Sequence, residues 1–255
     1  MLIDLHCHIL PGVDDGALDL LSCLDMANTA VGAGINHLFA TPHHMNGQYV
    51  NKKEEIIFQV AEVNRHLQQE KIPLTIYPGQ EVRIHQHLMI SLEMEEVLTL
   101  NNREKFLLIE LPSGYVPIYT HEVVYELLMK GITPIIVHPE RNRELIEDPQ
   151  LLYQLVQQGA LTQLTSGSVI GLFGKKIKSF SEKIIEHHQA HFIATDAHNV
   201  GSRGFTLQEA YETITKTYGI DRTLYFKENA QTVLDGQSIS IKQPMPIRKK
   251  LLGIF

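Results

Sequence analysis

The sequence predicts an α/β fold in which parallel strands alternate with helices around a closed or nearly closed barrel. Short apolar runs of β type alternate with longer runs of helical spacing, the pattern typical of βα units. Seven such units in 255 residues suit a single barrel of roughly 200 to 250 residues. No glycine-rich dinucleotide loop follows the first strand, which disfavours the alternative, a flavodoxin-like open sheet.

Each strand is predicted from a short apolar run. The seven runs are 2–6 (LIDLH), 37–41 (HLFAT), 74–82 (LTIYPGQEV), 106–111 (FLLIEL), 133–139 (TPIIVHP), 161–165 (LTQLT) and 191–198 (HFIATDAH). Helices between them are indicated by apolar residues three and four apart: Leu18, Leu21, Leu24 and Ala27, then Val123, Leu127 and Leu128, then Leu151, Leu152 and Leu155. Gly32, Gly34, Gly131 and Gly159 are expected to end helices just before strands.

Composition excludes several classes of protein. Apolar residues make up 44% of the chain and charged residues 20%, as in ordinary globular proteins. No apolar run reaches the roughly 18 residues of a membrane span, and no signal peptide is apparent, so we expect a cytoplasmic protein. Two cysteines provide no disulfide framework, and a net charge of −7 argues against nucleic-acid binding.

No linker or repeat divides the chain, so residues 1–240 are predicted to form one domain. Residues 241–255 differ in composition, with two prolines and three successive basic residues before an apolar end. We expect this tail to be a strap packed on the barrel or a disordered end. The alternative is a basic, apolar handle for a partner or a membrane surface.

The opening stretch DLHCHILPGVDDG places two histidines one residue apart at the end of a strand. In an extended strand His6 and His8 point to the same side while Cys7 faces away. The pair could clamp a metal ion, or it could simply cap the strand with satisfied hydrogen bonds.

The other strands decide between these readings. Catalytic groups of parallel βα barrels lie at the C-terminal ends of the strands, and six of the seven predicted strands end in histidine or carboxylate. The groups are His6, His8 and Asp15, then His43, Glu81, Glu110, His138, Asp196 and His198. Unpaired burial of so many ionisable groups at one mouth would be costly without cations. The mixed nitrogen and oxygen donors predict two or three divalent ions, with Mn²⁺ favoured and iron, zinc, cobalt or magnesium as alternatives.

The motifs HCH, TPHH, GQEV, HPER and DAHN, in this order, resemble those of the polymerase and histidinol phosphatase (PHP) superfamily. They are most similar to its bacterial manganese-dependent protein tyrosine phosphatases, which regulate capsule and exopolysaccharide synthesis. The resemblance covers residues 1 to about 235. It implies a distorted (β/α)7 TIM-like barrel with a metal site at the C-terminal ends of the strands.

The resemblance also assigns the ligands. It implies one ion held by His6, His8, Glu81 and Asp196, a second held by Glu81, Glu110 and His138, and a third held by Asp15, His43 and His198. Asp15 matches the ligand position better than Asp14, although the sequence leaves the reverse open. Arg141 and Arg203 would bind the phosphate, and both are implied to be catalytic together with Glu110 and Asp196.

The implied reaction is hydrolysis of phosphotyrosine by metal-activated hydroxide, with no cysteine nucleophile. Thiol phosphatases need an arginine six residues after the cysteine, but here those positions hold Val13 and Thr29. The implied substrate is a tyrosine-phosphorylated bacterial kinase or related regulator, with peripheral membrane contact through that kinase. The rivals are a histidinol phosphate phosphatase or other small-molecule phosphoesterase, a nuclease, and a non-enzymatic scaffold.

Overall fold

A computed structural model describes residues 2–247 as a parallel α/β fold. Its strands are β1 (Leu2–Cys7), β2 (Ile35–Ala40), β3 (His43–His44), β4 (Thr75–Pro78), β5 (Glu81–Arg83), β6 (Phe106–Glu110), β7 (Thr133–Val137), β8 (Leu161–Thr165) and β9 (Phe192–Ala194). They form two parallel sheets, ordered β1-β2-β4 and β3-β5-β6-β7-β8-β9. The predicted parallel α/β class is therefore confirmed.

Ten α-helices connect and cover these strands within the described residues. They are α1 (Leu20–Gly32), α2 (Lys53–Gln69), α3 (Leu88–Glu93), α4 (Thr120–Met129), α5 (Arg143–Glu147), α6 (Pro149–Gln158), α7 (Ser166–Ile170), α8 (Lys175–Glu186), α9 (Leu207–Tyr218) and α10 (Ile220–Asp235). Short 3₁₀ turns lie at Leu100–Asn102 and Pro139–Arg141. Gly34, Gly131 and Gly159 have φ of +81°, +79° and +120°, which fits their predicted place after helices.

The two sheets continue into one another by hydrogen bonds. The amide of Glu81 donates to the carbonyl of Pro42, which brings β5 alongside the chain that links β2 and β3. At the other edges, the His8 amide donates to the Ala197 carbonyl and the Asp196 amide donates to the His6 carbonyl, each at a distance of 2.9 Å. The last strand is thereby connected to the first.

Side chains on the strands alternate between two cores. On β6, Phe106 and Leu108 belong to an inner cluster, whereas Leu107 and Ile109 belong to the larger cluster that packs against the helices. Val233 of α10 also contacts the inner cluster. Residues i and i+2 of a strand share a face, so both faces are apolar and the strands are buried on both sides.

Of the seven predicted strands, only 161–165 has the observed bounds. The runs 2–6, 106–111 and 133–139 differ from their strands by one or two residues at the C-terminal end. The other three differ more. The run 37–41 belongs to a strand that starts at Ile35, and the run 74–82 is split into β4 and β5 by Gly79 and Gln80. The Gln80 side chain turns inward, where it donates to the Asn51 carbonyl and accepts from the Leu98 amide. These bonds replace ladder bonds at the break.

The run 191–198 also contains a shorter strand than predicted, because β9 ends at Ala194. Asp196 has a left-handed backbone conformation with φ of +54°, which no strand can contain.

The first helix starts later than its apolar spacing predicts. Asp19 caps α1 by accepting the Ser22 amide at 2.8 Å, so Leu18 lies outside the helix. Leu18 and Leu21 are 82% and 69% exposed, and the buried face is formed instead by Cys23, Met26, Ala27 and Ala30. The periodicity identified the helix but assigned the wrong face at its start.

The described part of the tail packs against the fold. The Met245 amide donates to the His187 carbonyl, the Gln189 side chain donates to the Met245 carbonyl, and Ile247 is buried. This is the strap alternative for residues 241–247. The basic run and apolar end at 248–255 lie outside the described residues.

Candidate metal centre

The predicted ligands come together at the C-terminal ends of the strands. Three overlapping groups each bring one donor atom per residue within 4.8 Å of the others: His8, Asp15, His43 and His198; His6, His8 and Glu81; and His43, Glu81 and Glu110. His138 and Asp196 join them through contacts with Glu81, His6 and His8. All nine side chains therefore belong to one cluster.

His6 and His8 point to the same side of β1, as the strand geometry predicts. Their Nε2 atoms lie 3.2 Å apart, and both rings are buried. The Nδ1 atom of His6 lies 2.8 Å from the Gln163 Oε1, and that of His8 lies 2.7 Å from the Asp14 Oδ2. A carboxylate or amide acceptor at Nδ1 fixes the tautomer that leaves the Nε2 lone pair free. Both Nε2 atoms can thus act as ligands.

Glu81 occupies the middle of the cluster. Its Oε1 lies 2.8 Å from the His138 Nε2, and its Oε2 lies 2.7 Å from the His43 Nδ1. The same Oε2 lies 3.5 Å from the His6 Nε2 and 3.4 Å from the His8 Nε2. A carboxylate with neighbours on both oxygens has the geometry of a bridging ligand.

Asp196 connects the cluster to the two arginines. Its Oδ1 lies 3.5 Å and 3.3 Å from the Nε2 atoms of His6 and His8. Its Oδ2 accepts hydrogen bonds from Arg141 at 2.5 Å and from Arg203 at 3.0 Å. The two guanidinium groups therefore lie at the edge of the cluster. Their predicted role in phosphate binding stays a prediction.

The neighbouring aspartates Asp14 and Asp15 have different surroundings. Asp14 is buried and accepts from the amides of Gly16 and His43 in addition to its contact with His8. The Oδ1 of Asp15 lies 3.5 Å from the His43 Nε2 and 3.4 Å from the His198 Nε2. Asp15 therefore lies among the candidate metal donors, whereas Asp14 contacts His8 through the ring nitrogen that faces away from them.

The loop that carries both aspartates needs a glycine at position 16. A Cβ atom built on Gly16 would lie 1.9 Å from the His8 carbonyl oxygen, a clash that only a backbone shift could relieve. Ala17 returns its amide to the same carbonyl at 3.1 Å. The loop thus folds back on the end of β1 and brings Asp15 to the histidines.

Backbone strain is found at two of the predicted ligands. His138 and Asp196 have φ of +36° and +54°, in the left-handed region that costs a residue with a side chain about 1 kcal/mol or more. The bonds made by Thr195 hold one of these bends, because its amide and hydroxyl both donate to the buried Asp4 carboxylate. Residues in such conformations cluster at functional sites.

The electrostatics of the cluster are those of ionised carboxylates among histidines. Burial acts to raise the pKa of Glu81, but His6, His43 and His138 more than offset it, so this pKa lies well below the ordinary value. Burial likewise opposes ionisation of Asp196, whose pKa is nevertheless lowered by its histidine neighbours. Burial and the charge of Glu81 raise the pKa of Glu110.

Several buried nitrogen and oxygen atoms of the cluster have no hydrogen-bond partner among residues 2–247. They include the Nδ1 of His43, the Oε2 of Glu81 and the Nε2 of His198. The first two lie 2.7 Å apart without forming an aligned hydrogen bond. Buried polar atoms are rarely left unpaired, and imidazole nitrogens with carboxylate oxygens suit divalent transition metals. The residues present therefore fit a centre of divalent cations.

Three site residues were missed by the sequence reasoning. Arg83 donates from Nε and Nη2 to the Glu110 Oε2 at 3.0 and 2.9 Å. Gln163 fixes His6, and Asp14, considered only as an alternative ligand, fixes His8. Arg83 could have been predicted from the sequence, because it lies two residues after Glu81 and therefore on the same face of β5.

Two residues adjacent in the chain to predicted ligands lie outside the cluster. His44, the second histidine of TPHH, is buried outside all three groups, and its ring nitrogens have no hydrogen-bond partner in the described part of the chain. Cys7 is buried, and its Sγ donates to the Ala197 carbonyl at 3.4 Å. Burial holds the pKa of Cys7 well above its ordinary value, which leaves a thiol rather than a thiolate nucleophile.

The family model described as capsular polysaccharide synthesis, CpsB/CapC, matches residues 2–235. The chain belongs to the CpsB/CapC family. It is 45% identical over 255 residues to the tyrosine-protein phosphatase YwqE of Bacillus subtilis, with 100% of both chains covered. It is 36% identical over 257 residues to the putative tyrosine-protein phosphatase CapC of Staphylococcus aureus, again with both chains fully covered.

Solved structures agree with this family assignment. A structure described with YwqE of Bacillus subtilis and CpsB of Streptococcus pneumoniae as unique metal-dependent tyrosine phosphatases has a TM-score of 0.94. It is 44% identical, and the match covers 97% of this chain and 100% of that one. A β-aspartyl dipeptidase of Fervidobacterium islandicum, 12% identical with a TM-score of 0.56, covers 95% of this chain and 77% of its own and shares the fold alone.

Proposed function

We propose that this CpsB/CapC family member is a metal-dependent protein tyrosine phosphatase that acts in the regulation of capsular or exopolysaccharide synthesis. The observation that carries the proposal is the junction at Asp196, where a cluster of nine histidines and carboxylates meets two arginines. Metal donors beside guanidinium groups suit a phosphate ester. The names of the relatives support tyrosine phosphate as the substrate.

The ligand assignment forms part of the proposal. His6, His8, Glu81 and Asp196 would hold one ion, Glu81 with Glu110 and His138 a second, and Asp15, His43 and His198 a third. His8 and His43 each belong to two of the observed groups, so either could serve a neighbouring ion. We propose Mn²⁺ as the ion, since a mixed nitrogen and carboxylate set without cysteine suits it.

In the proposed mechanism, divalent ions held by these residues would lower the pKa of water and would neutralise charge on the phosphate. Arg141 and Arg203 bind and orient the phosphate oxygens through planar, bidentate guanidinium donors. Both arginines now share the Asp196 Oδ2. Asp196 lies beside His6 and His8, Glu110 lies beside His43, and Arg83 holds Glu110.

The leaving group makes few further demands on the protein. A tyrosine phenolate, with a pKa near 10, leaves far more easily than an alkoxide, so no strong general acid is required. Cys7 is buried with its thiol protonated and takes no part.

Architecture and setting complete the proposal. The bonds of His8 and Asp196 to the opposite edge support one distorted barrel formed by both sheets. It has seven strands when β2 with β3 and β4 with β5 are each counted as one interrupted strand. The barrel would be a single domain over 1–240, followed by the tail 241–255. No helix among residues 2–247 has the length and apolar character needed to cross a bilayer. We propose a cytoplasmic enzyme whose partner is a tyrosine-phosphorylated bacterial kinase, through which it would contact the membrane peripherally.

The experiment compares substrates and metals on purified protein. Chelation should abolish hydrolysis of a phosphotyrosine peptide, and Mn²⁺ should restore it better than Mg²⁺, Zn²⁺, Fe²⁺ or Co²⁺. Histidinol phosphate, assayed beside the peptide, should be a poor substrate. Faster cleavage of histidinol phosphate would contradict the tyrosine assignment, and full activity after chelation would contradict the metal centre.

A further inference from the structure

The side chain of Arg141 depends on few contacts. Arg141 is the last residue of the 3₁₀ turn after β7, and its only side-chain hydrogen bond among residues 2–247 goes to the Asp196 Oδ2. That carboxylate also receives Arg203 and lies beside His6 and His8. If Asp196 engages a cation, its hold on Arg141 is shared with the cation, and the guanidinium needs a second support.

An aromatic ring provides a contact of this kind. The guanidinium carbon of Arg141 lies 5.2 Å from the centroid of the Phe173 ring. A cation within about 6 Å of a ring face is attracted by the ring quadrupole, and the attraction grows when the pair is withdrawn from water. Phe173 is half-buried. It is therefore placed to hold Arg141 without consuming any of its N–H donors.

The ring itself is held by an unusual turn. Phe173 lies between Gly171 and Gly174, whose φ values of +94° and +93° favour glycine. The amides of Gly171 and Leu172 both return to the Gly167 carbonyl, at 3.0 and 2.8 Å. These bonds close the end of α7 and fix the direction in which residue 173 leaves it.

Gly167 also makes room for the ring. A Cβ atom built on Gly167 would lie 3.1 Å from the Phe173 Cε2 and 3.4 Å from its Cζ. The backbone of α7 thus contacts the ring that also contacts Arg141. The stretch SGSVIGLFG after β8, which contributes none of the predicted ligands, has a structural purpose in this arrangement.

We propose that Phe173 is a positioning residue for Arg141, holding the guanidinium at the mouth so that its N–H groups are free for phosphate. The inference rests on the proposed function. The ring is proposed to act only through the guanidinium, so its contribution is to phosphate affinity rather than to the rate of the chemical step.

The test measures binding of inorganic phosphate to the Mn²⁺-loaded protein by calorimetry, together with kcat and KM on a phosphotyrosine peptide. Phe173→Leu should weaken phosphate binding and raise KM by about threefold to tenfold, the range expected for loss of a partly buried cation–π contact. The kcat should stay within twofold. Phe173→Tyr, which keeps the ring, should restore both values.

Two further variants separate positioning from general damage. Leu172→Ala changes an exposed neighbour in the same turn and should leave phosphate binding unchanged. In an Arg141→Ala background, Phe173→Leu should have no further effect, because the ring acts only through the guanidinium.

Three results would overturn the inference: unchanged phosphate affinity in Phe173→Leu, failure of the tyrosine variant to restore it, or an undiminished effect without Arg141. Wild-type protein that binds phosphate but cleaves no peptide would contradict the proposed function alone. In that case, weaker phosphate binding by Phe173→Leu would still support the positioning role.

Discussion

At the scale of single residues, the cluster is organised by side chains that are not themselves proposed ligands. Asp14 orients His8, Gln163 orients His6 and Arg83 holds Glu110. Such partners set the tautomer and direction of a ligand, and their loss commonly lowers metal affinity 10- to 100-fold. The nine proposed ligands therefore depend on neighbouring side chains for their orientation.

Replacing Asp14 should expose this dependence. We expect Asp14→Asn to lower Mn²⁺ affinity about 10- to 100-fold, because the amide cannot match the carboxylate as an acceptor for the His8 Nδ1–H. Calorimetric titration of chelated protein measures the change. Asp221→Asn, a matched substitution at an exposed position in the first turn of α10, should bind Mn²⁺ normally. Equal affinity in both variants would argue against an orienting role for Asp14.

The cysteines provide the opposite case, residues that should not matter for chemistry. A Cys7→Ser, Cys23→Ser double variant should keep full kcat on a phosphotyrosine peptide, since both thiols are buried and outside the cluster. Its melting temperature should fall, because two hydroxyls replace thiols packed among apolar groups. Measurement of kcat at saturating Mn²⁺ decides, and a loss of several orders of magnitude would indicate a thiol mechanism.

At the scale of elements, strand ends place the ligands and strand interiors hold them in register. β8 and β9 are joined partly through His191, whose Nδ1 accepts the Thr162 amide at 3.0 Å in a fully buried position. Burial lowers the pKa of His191 to about 3. The neutral ring is therefore part of the connection between β8, which contains Gln163, and β9, which ends two residues before Asp196.

This pairing predicts a pH dependence of stability. The folded-state pKa of His191 lies below the unfolded value of about 6.5, so its contribution is fully present above pH 6.5 and is lost as pH falls toward 3. Each pH unit within that window should cost about 1.4 kcal/mol of unfolding free energy. Urea unfolding at pH 6.5, 5.5 and 4.5 measures the slope.

The control is His191→Asn, whose side-chain oxygen can accept the Thr162 amide but does not titrate. This variant should lose less stability per pH unit than the wild type by about the amount assigned to the histidine. Parallel slopes for the two proteins would show that His191 carries its charge without penalty, contrary to its burial.

At the scale of the whole molecule, the fold gathers ionisable side chains from distant parts of the chain at one place. Four carboxylates, Asp15, Glu81, Glu110 and Asp196, meet at one end of an otherwise apolar pair of cores. Metal ions that bind the folded state stabilise it by mass action. The proposed ligands lie between His6 and His198 in the chain. Metal binding should therefore stabilise the whole fold rather than one segment.

Removal of metal should therefore lower the melting temperature. At Mn²⁺ concentrations 100 times the dissociation constant, we expect about 2.7 kcal/mol of added stability for each site of that affinity. Calorimetric melting of chelated protein during titration with Mn²⁺ measures the shift, and a Glu81→Gln variant, which weakens the central donor, should show a smaller one. An unchanged melting temperature across the titration would be inconsistent with the proposed centre.

The sequence by itself determined the alternation of strands and helices, the strand ends that carry the proposed ligands, and the absence of a thiol signature. These features are local, because periodicity and the residue at a strand end depend on neighbours in the chain. Whether the pair His6 and His8 caps a strand or binds a metal ion could not be decided from that strand alone. The histidines and carboxylates at the other strand ends favoured a metal site.

Only the tertiary structure decided which side chains aim the ligands. Gln163, Arg83 and Phe173 reach His6, Glu110 and Arg141 across separations set by strand order and by the turns at Gly171 and Gly174. It also exposed Leu18, which helical spacing had buried, because the cap at Asp19 starts α1 beyond it. Contacts between distant segments depend on how the strands register and bend, and no local pattern in the chain encodes those distances.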